Sequence, residues 1–303
     1  SLLYGITGSI DFIAVAKGLH TIEGNTLTLA LFGLVFIVGA LGFKFGVVPF
    51  HMWIPDVYQG APTPVTLLVG TAPKIAAFGM AYRLLAQGMP DLSEAWIQLL
   101  TLLAILSLAL GNLLAISQTN IKRLLAYSTI AHAGFLMLGF LVGPEEGYLA
   151  AMNYAIIYAL VAAGAFGTII LLSYKGFEAE NIEDFKGLAA KSPWIAFLMM
   201  ILLFSLAGVP PTAGFYAKFL VLSGLVGVGK VWLALLAVFF TIIGAFYYIR
   251  VIKVMYFDDP IDGVPVVFPF DMRVVLSLNG LLVLGLGLFP APLLVLCQKV
   301  LLG

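Results

Sequence analysis

The sequence predicts an all-α polytopic membrane protein, and three observations predict it. Of 303 residues, 62% are hydrophobic and only 10% are charged, against about 25% charged in an average soluble domain. Mean hydropathy is +1.10. The apolar residues gather in runs near the length of a bilayer crossing, roughly 20 residues at 1.5 Å each for about 30 Å of hydrocarbon. No water-soluble fold hides that much apolar surface, so lipid is the expected solvent. The formal net charge of zero argues against nucleic acid as a partner. One cysteine, Cys297, excludes a disulfide framework and any four-thiolate metal or iron–sulfur site within the chain. His20, His51 and His132 lie far apart in sequence, so a metal site has no local support.

The elements follow in chain order. Residues 1–8 read as the second half of an apolar helix. The chain opens on Ser1 without a charged leader or a small-residue cleavage site, so it does not read as a signal peptide. The expectation is a C-terminal fragment of a longer chain. Spans are predicted near 26–58, 64–85, 95–116, 123–143, 148–174, 193–227, 231–256 and 273–290. That makes about eight full spans and one partial. The tail at 291–303 is short and apolar, suited to the interface or to a neighbouring subunit. No soluble domain, nucleotide-binding loop or Rossmann fingerprint is present.

Two spans are too long. Residues 26–58 and 193–227 would each reach roughly 50 Å as straight helices. The first carries Gly42, Gly46, Pro49 and Pro55; the second carries Gly208, Pro210, Pro211 and Gly214. Proline removes a backbone donor and clashes with the preceding turn, so both spans read as broken helices. Irregular backbone survives in a membrane only where protein or a water-filled cavity satisfies it. Paired broken helices in separate halves of a chain point to a transport site. The competing reading is two kinked but sealed helices.

Loops alternate sides, so lysine and arginine can be counted by side. One side holds Lys122, Arg123, Lys175, Lys186, Lys191, Arg250, Lys253 and Arg273; the other holds Lys17, Arg83, Lys230 and Lys299. The richer side is expected to be cytoplasmic, or the matrix or stroma of an organelle. This puts the polar loop at 175–192 inside and the C-terminus outside.

Lys44, Lys74 and Lys218 remain, each inside a span. A charge at mid-membrane costs at least a few kcal/mol and is read as functional by default. Snorkelling to the interface is the alternative; it is strained for Lys74, which lies about ten residues from either end of its span. Lys44 and Lys218 lie beside the helix breaks, where water can enter. All fifteen acidic residues fall in loops or at span edges, so the lysines lack a carboxylate partner within their own spans. Burial disfavours a charged lysine and a nearby carboxylate favours it. A lysine near that balance changes protonation when a neighbouring charge moves, as a proton relay requires.

His132 lies mid-span, one turn after Ser128, so the two share a face. Histidine carries protons near neutrality, although a lone histidine also serves as a packing residue. Tyr127, Ser128 and Thr129 are candidates to hold water along the same path. His51, close to Pro49, is a candidate for an outer half-channel or an interfacial histidine beside Trp53. Lys122 and Arg123 open a span and rank lower, because such pairs usually mark topology.

Three runs carry a family resemblance. Lys44 to Val65 (KFGVVPFHMWIPDVYQGAPTPV), Ser117 to Gly134 (SQTNIKRLLAYSTIAHAG) and Phe204 to Phe219 (FSLAGVPPTAGFYAKF) resemble the antiporter-like membrane subunits of respiratory complex I. The stretch from Asp56 to Pro62 resembles the N branch more closely than L or M. The resemblance implies a fourteen-helix fold with two inverted five-helix repeats, each containing a broken helix. This chain would begin near the sixth helix, with 1–85 ending the first repeat, 95–256 forming the second and 257–303 the final helix and tail. By residue matching, Lys44 takes the place of the lysine on the first broken helix, Lys74 that of the following helix and Lys218 that of the lysine on the second. The family pairs the lysine at Lys44 with a glutamate on the fifth helix, which lies before this chain.

The resemblance implies a proton-translocating subunit of an NADH–quinone oxidoreductase in the bacterial inner membrane, flanked by other membrane-arm subunits. NADH, FMN, the iron–sulfur clusters and quinone would belong to the complex, with no cofactor or metal in this chain. Lys44, Lys74, His132 and Lys218 would form the relay, joined by water. Competing readings are a multisubunit cation/proton antiporter, the photosynthetic relative that uses plastoquinone, and a structural spacer that does not pump.

Overall fold

The computed structural model describes residues 1–173, 177–260 and 269–302. Lys175 of the sequence-level charge count lies outside the described residues. The described helices are α1 (Leu2–Thr7), α2 (Phe12–Leu19), α3 (Gly24–Phe45), α4 (Trp53–Gly60), α5 (Thr63–Ala81), α6 (Ser93–Ile116), α7 (Ile121–Phe140), α8 (Glu146–Leu172), α9 (Leu188–Lys191), α10 (Pro193–Ala207), α11 (Ala213–Gly227), α12 (Val231–Phe257), α13 (Phe270–Leu288) and α14 (Ala291–Leu302). A π-helical turn, Tyr82–Gln87, extends α5. The described residues form no strand; an isolated bridge joins Asn120 to Asn181.

Six helical segments are long and apolar enough to cross a membrane: Gly24–Phe45, Thr63–Gln87, Pro90–Ile116, Glu146–Leu172, Val231–Phe257 and Phe270–Leu288. Shorter apolar helices at Pro193–Ala207 and Ala213–Gly227 supply the second long span in two pieces. α7 is absent from the six although it has 20 residues. Its lysine, arginine, histidine and hydroxyls dilute its apolarity, and nearly all of its residues are buried. It runs through the middle of the bundle against α4, α6, α8 and α11. Lipid-facing helices need apolar side chains; a helix wrapped by protein does not.

Both long spans are broken, and by the same device. α3 ends at Gly46, with φ +72°, and α10 ends at Gly208, with φ +86°. In each case the glycine and the following valine donate back to the last turn. Val47 N–H reaches Gly42 O and Val209 N–H reaches Phe204 O, which makes two Schellman motifs. A cis peptide bond precedes Pro49 and Pro211, three residues beyond each glycine. The chain then re-enters helix at Trp53 and at Ala213.

The short helices α2, α9 and α14 add to the predicted spans. They are too short for a bilayer ruler to find. α2 is held at its start by Asp11, whose carboxylate accepts from Ala14 N–H at 3.0 Å. α14 lies against α8, so the apolar tail is a helix with a packing partner.

Candidate functional site

The lysines explain how cations sit in an apolar bundle without mid-span carboxylates. Four of them donate to the carbonyl end of a helix. Lys74, from α5, reaches Phe45 O at the end of α3, 3.0 Å. Lys218, from α11, reaches Leu206 O and Ala207 O at the end of α10, 2.8 and 3.0 Å. Lys122, from α7, reaches Ala61 O at the end of α4, 3.1 Å. Lys230 reaches Leu141 O at the end of α7, 2.7 Å. The last carbonyls of a helix have no partner within it and carry partial negative charge. A broken helix exposes such an end inside the bundle, and an ammonium satisfies it.

Lys74 and Lys218 are almost wholly buried, at 3% and 8% exposure. Aromatic faces complete their surroundings: the Lys74 ammonium is 5.6 Å from the Trp53 ring centre and that of Lys218 is 5.2 Å from Phe135. Cation–π attraction strengthens where water is excluded.

Lys218 and His132 belong to one centre. Two small cavities beside the second break are each lined by both side chains. Tyr247, Tyr248 and Asn112 close one side, and Tyr154, Tyr158 and Ser205 the other. His132 Nδ1 is 2.7 Å from the Tyr154 hydroxyl and Nε2 is 3.2 Å from that of Tyr248. Ser128 shares the Tyr248 hydroxyl, as expected for a residue one turn from His132 on the same face. Tyr158 donates to Thr129 Oγ1, 2.7 Å. A neutral imidazole has one donor and one acceptor nitrogen, so one tyrosine must donate to the ring and the other accept. Exchanging the tautomer reverses both bonds.

Other candidates lie apart from this centre. Lys44 sits two residues before Gly46, on an exposed face of α3. Tyr127 stacks toward the Arg123 guanidinium at 6.0 Å and is not joined to His132. His51 lies in the first break with a buried Nδ1 that has no hydrogen-bond partner among the described residues. Lys122, which ranks below the other lysines from sequence, has carboxylate partners. It is 1% exposed, 3.1 Å from Glu178 and 2.6 Å from Glu180. Its hydrogen bond holds the Glu178 carboxyl below the ordinary glutamate range. Arg123 beside it pairs with Asp56 at 2.8 Å. Thus α7 carries an acid-paired lysine at one end and the histidine centre further in.

Sequence reasoning missed Tyr154, Tyr158, Tyr248 and Asn112. Apolar context makes a lone tyrosine read as packing, and only the assembled helices reveal three tyrosines around one imidazole. Among the described residues no group of three or more His, Cys, Asp or Glu side chains converges.

The comparisons agree with this architecture. Residues 1–244 match the family model described as NADH:quinone oxidoreductase/Mrp antiporter, transmembrane. The chain is 57% identical to NADH-quinone oxidoreductase subunit N of Thioalkalivibrio sulfidiphilus over 290 residues, covering 96% of this chain and 60% of that protein. It is similar to a chain of respiratory complex I from Thermus thermophilus, with TM-score 0.79 and 35% identity over 97% of this chain and 63% of that one. The Mrp complex of Dietzia shares the fold, with TM-score 0.84 at 21% identity over 98% of this chain and 62% of the other. These matches span about three fifths of each relative's length. The chain belongs to the NADH:quinone oxidoreductase/Mrp antiporter transmembrane family.

Proposed function

We propose that this chain forms part of the N-type subunit of a proton-translocating NADH–quinone oxidoreductase. In this reading protons cross through Lys218, His132 and Lys74, coupled to electron transfer in other subunits. One observation carries the proposal: Lys218 and His132 line the same cavities beside a broken helix. The Lys218 ammonium is held by helix-end carbonyls, which bind it without taking its proton. His132 can then receive that proton and hand it on through its other nitrogen, since Tyr154 and Tyr248 engage both sides of the ring. Lys122 with Glu178 and Glu180 marks an aqueous end of the path, and Lys44 is the remaining titratable group of the first break.

The same reading takes eight full spans, counting each broken pair once and including α7. The matching breaks after Gly46 and Gly208 support a repeat in which 1–85 ends one half and 95–256 forms the other. The face bearing Lys122, Arg123 and Arg250 is the inner one, by the excess of positive charge, with α14 outside in a bacterial inner membrane. Other membrane-arm subunits flank the bundle. NADH, FMN, iron–sulfur clusters and quinone lie elsewhere in the complex.

The test is Lys218→Ala in the complete complex, reconstituted in sealed vesicles, measuring protons moved per NADH oxidised. The expected result is a lower ratio in an assembled complex. An unchanged ratio would make the chain a spacer, and sodium-dependent transport without NADH oxidation would make it an antiporter.

A further inference from the structure

One serine hydroxyl ties the two halves of the second broken span together. α11 opens without a cap of its own: Thr212, at the N-cap position, makes no side-chain capping bond, and its hydroxyl donates backward to Val209 O at 2.7 Å. The first N–H groups of a helix have no partner within it, and an unpaired one in a buried site is unfavourable. Gly214 N–H, in the first turn of α11, donates at 3.0 Å to the Ser205 hydroxyl oxygen of α10. A capping side chain normally does this from the residue that opens the helix; here it comes from nine residues upstream, across the break. Ser205 is buried, at 1% exposure. The halves approach so closely that a Cβ on residue 214 would stand 1.9 Å from Ser205 O, so only glycine fits there. The same tie bears on Lys218, which follows Gly214 by one turn on the same face. Its acceptors, Leu206 O and Ala207 O, belong to the two residues immediately after Ser205. Serine and lysine thus close one ring: α10 holds the first turn of α11 through Ser205, and α11 holds the last turn of α10 through Lys218. Ser205, Gly214 and Lys218 all line the cavity they share with His132. At the first break the serine comes from a neighbouring span instead: Ser107 of α6 accepts from Val48 N–H at 3.0 Å.

We infer that Ser205 is a positioning residue of the second break: its hydroxyl sets the register between α10 and α11 and thereby the place of Lys218 beside His132. This rests on the proton-translocating reading above. The serine itself neither gives nor takes a proton. Without its oxygen, Gly214 N–H turns to the cavity for a partner and the first turn of α11 is released from α10. Lys218, one turn further along, then shifts off the carbonyls of Leu206 and Ala207. An ammonium that has left those carbonyls no longer stands where His132 can receive its proton, although every titratable group of the centre is still present.

The experiment uses the complete complex in sealed vesicles with Ser205→Ala, Ser205→Thr, Lys218→Ala and the double variant Ser205→Ala with Lys218→Ala, and measures protons moved per NADH oxidised. The expected result is a Ser205→Ala complex that assembles and oxidises NADH, with its ratio lowered toward that of Lys218→Ala. Threonine keeps the acceptor oxygen and should restore the wild-type ratio. The double variant should fall no further than Lys218→Ala alone. A wild-type ratio in Ser205→Ala with a reduced ratio in Lys218→Ala overturns the positioning role and leaves the pump reading standing. A Ser205→Thr ratio as low as that of alanine also overturns it, because the effect would then follow side-chain shape and not the hydroxyl. So does a double variant below Lys218→Ala, because the serine would then act apart from the lysine. If Ser205→Ala does not assemble, Ser205→Cys takes its place with the same expected fall, since a thiol is a weak acceptor. Failure of both to assemble overturns the role by making the serine a requirement of the fold. An unchanged ratio in Lys218→Ala removes the pump reading and this inference with it.

Discussion

The two helix breaks share a backbone and differ in what surrounds it. Each has a left-handed glycine, a Schellman closure and a lysine on the freed carbonyls. At the second break the capping lysine, Lys218, comes from the same broken span and opens onto the His132 cavities. At the first, Lys74 comes from the next helix along, while Lys44 of the broken span faces outward. The lesson is that one backbone solution, a helix end turned into the bundle, accepts its cation from different elements. What distinguishes the breaks chemically is that α7, α8 and α12 bring His132 and tyrosines into cavities beside the lysine of the second, whereas at the first the Ser107 hydroxyl accepts from Val48 N–H.

The sharpest way to break the comparison is to fill the capping glycines. In Gly46→Ala the new Cβ would stand 1.7 Å from Ile54 Cδ1. Left-handed backbone with a side chain costs about 1–2 kcal/mol, and overpacking a buried site adds about 1–3 kcal/mol. At Gly208 the nearest atom is Lys218 Cδ at 2.8 Å, the flexible part of a long side chain. Gly208→Ala should therefore keep mainly the backbone penalty and displace Lys218. Thermal unfolding in detergent should rank Gly46→Ala below Gly208→Ala, whereas transport should suffer in Gly208→Ala beyond its stability loss. Equal melting temperatures would show that the two breaks are packed alike.

A smaller effect separates the two lysines of the first break. Lys74→Ala leaves Phe45 O without its buried donor, at a cost of about 1–3 kcal/mol. Lys44→Ala removes an exposed side chain, within about 0.5 kcal/mol of neutral. Denaturation of the two variants checks this directly, and a larger loss for Lys44 would assign the structural role to the wrong lysine.

The smallest effect lies at the acid-paired end of α7. Lys122 keeps the Glu178 carboxyl below its ordinary value, about 4.3 in a free glutamate. Because folding depresses this pKa, the stabilisation is complete above the unfolded value and is lost as pH falls through the lower folded one. The Glu178 side chain is 41% exposed, so solvent screening limits the contribution to about 1 kcal/mol or less. Amide exchange at Ile121 and Ile182, which bond to Glu180 O and Thr119 O, should accelerate over that acid window. Glu178→Gln should flatten the response, and an unaltered pH dependence would place the tie elsewhere.

Much of the fold is legible in the sequence because a span is a local property. The run expected at 148–174 and the observed Glu146–Leu172 start within about two residues of each other, since lipid sets the length wherever the chain enters it. Both breaks are legible for the same reason, because glycine and proline act on their own turns. α7 is legible as well, expected at 123–143 and observed at Ile121–Phe140; the shortfall is the short helices, which are smaller than a bilayer ruler. Part of the site is also legible: Lys74 and Lys218 stand out because charge is rare in such runs, and Ser128 follows from helical spacing. Tyr127 has the right composition but points toward Arg123, and sequence spacing alone does not decide that.

By itself, then, the sequence determined the solvent, the positions of the long spans and breaks, and two of the buried cations, Lys74 and Lys218. Tertiary structure decided what those cations hold and what His132 touches. Tyr248 reaches His132 across 116 residues of sequence and Lys218 reaches Leu206 across 12. The physical reason is that hydropathy is summed along the chain, whereas a helix end or a hydroxyl finds its partner across the bundle. The carboxylates absent from the spans are replaced by backbone carbonyls at helix ends, a partner that every sequence carries and only a fold can aim.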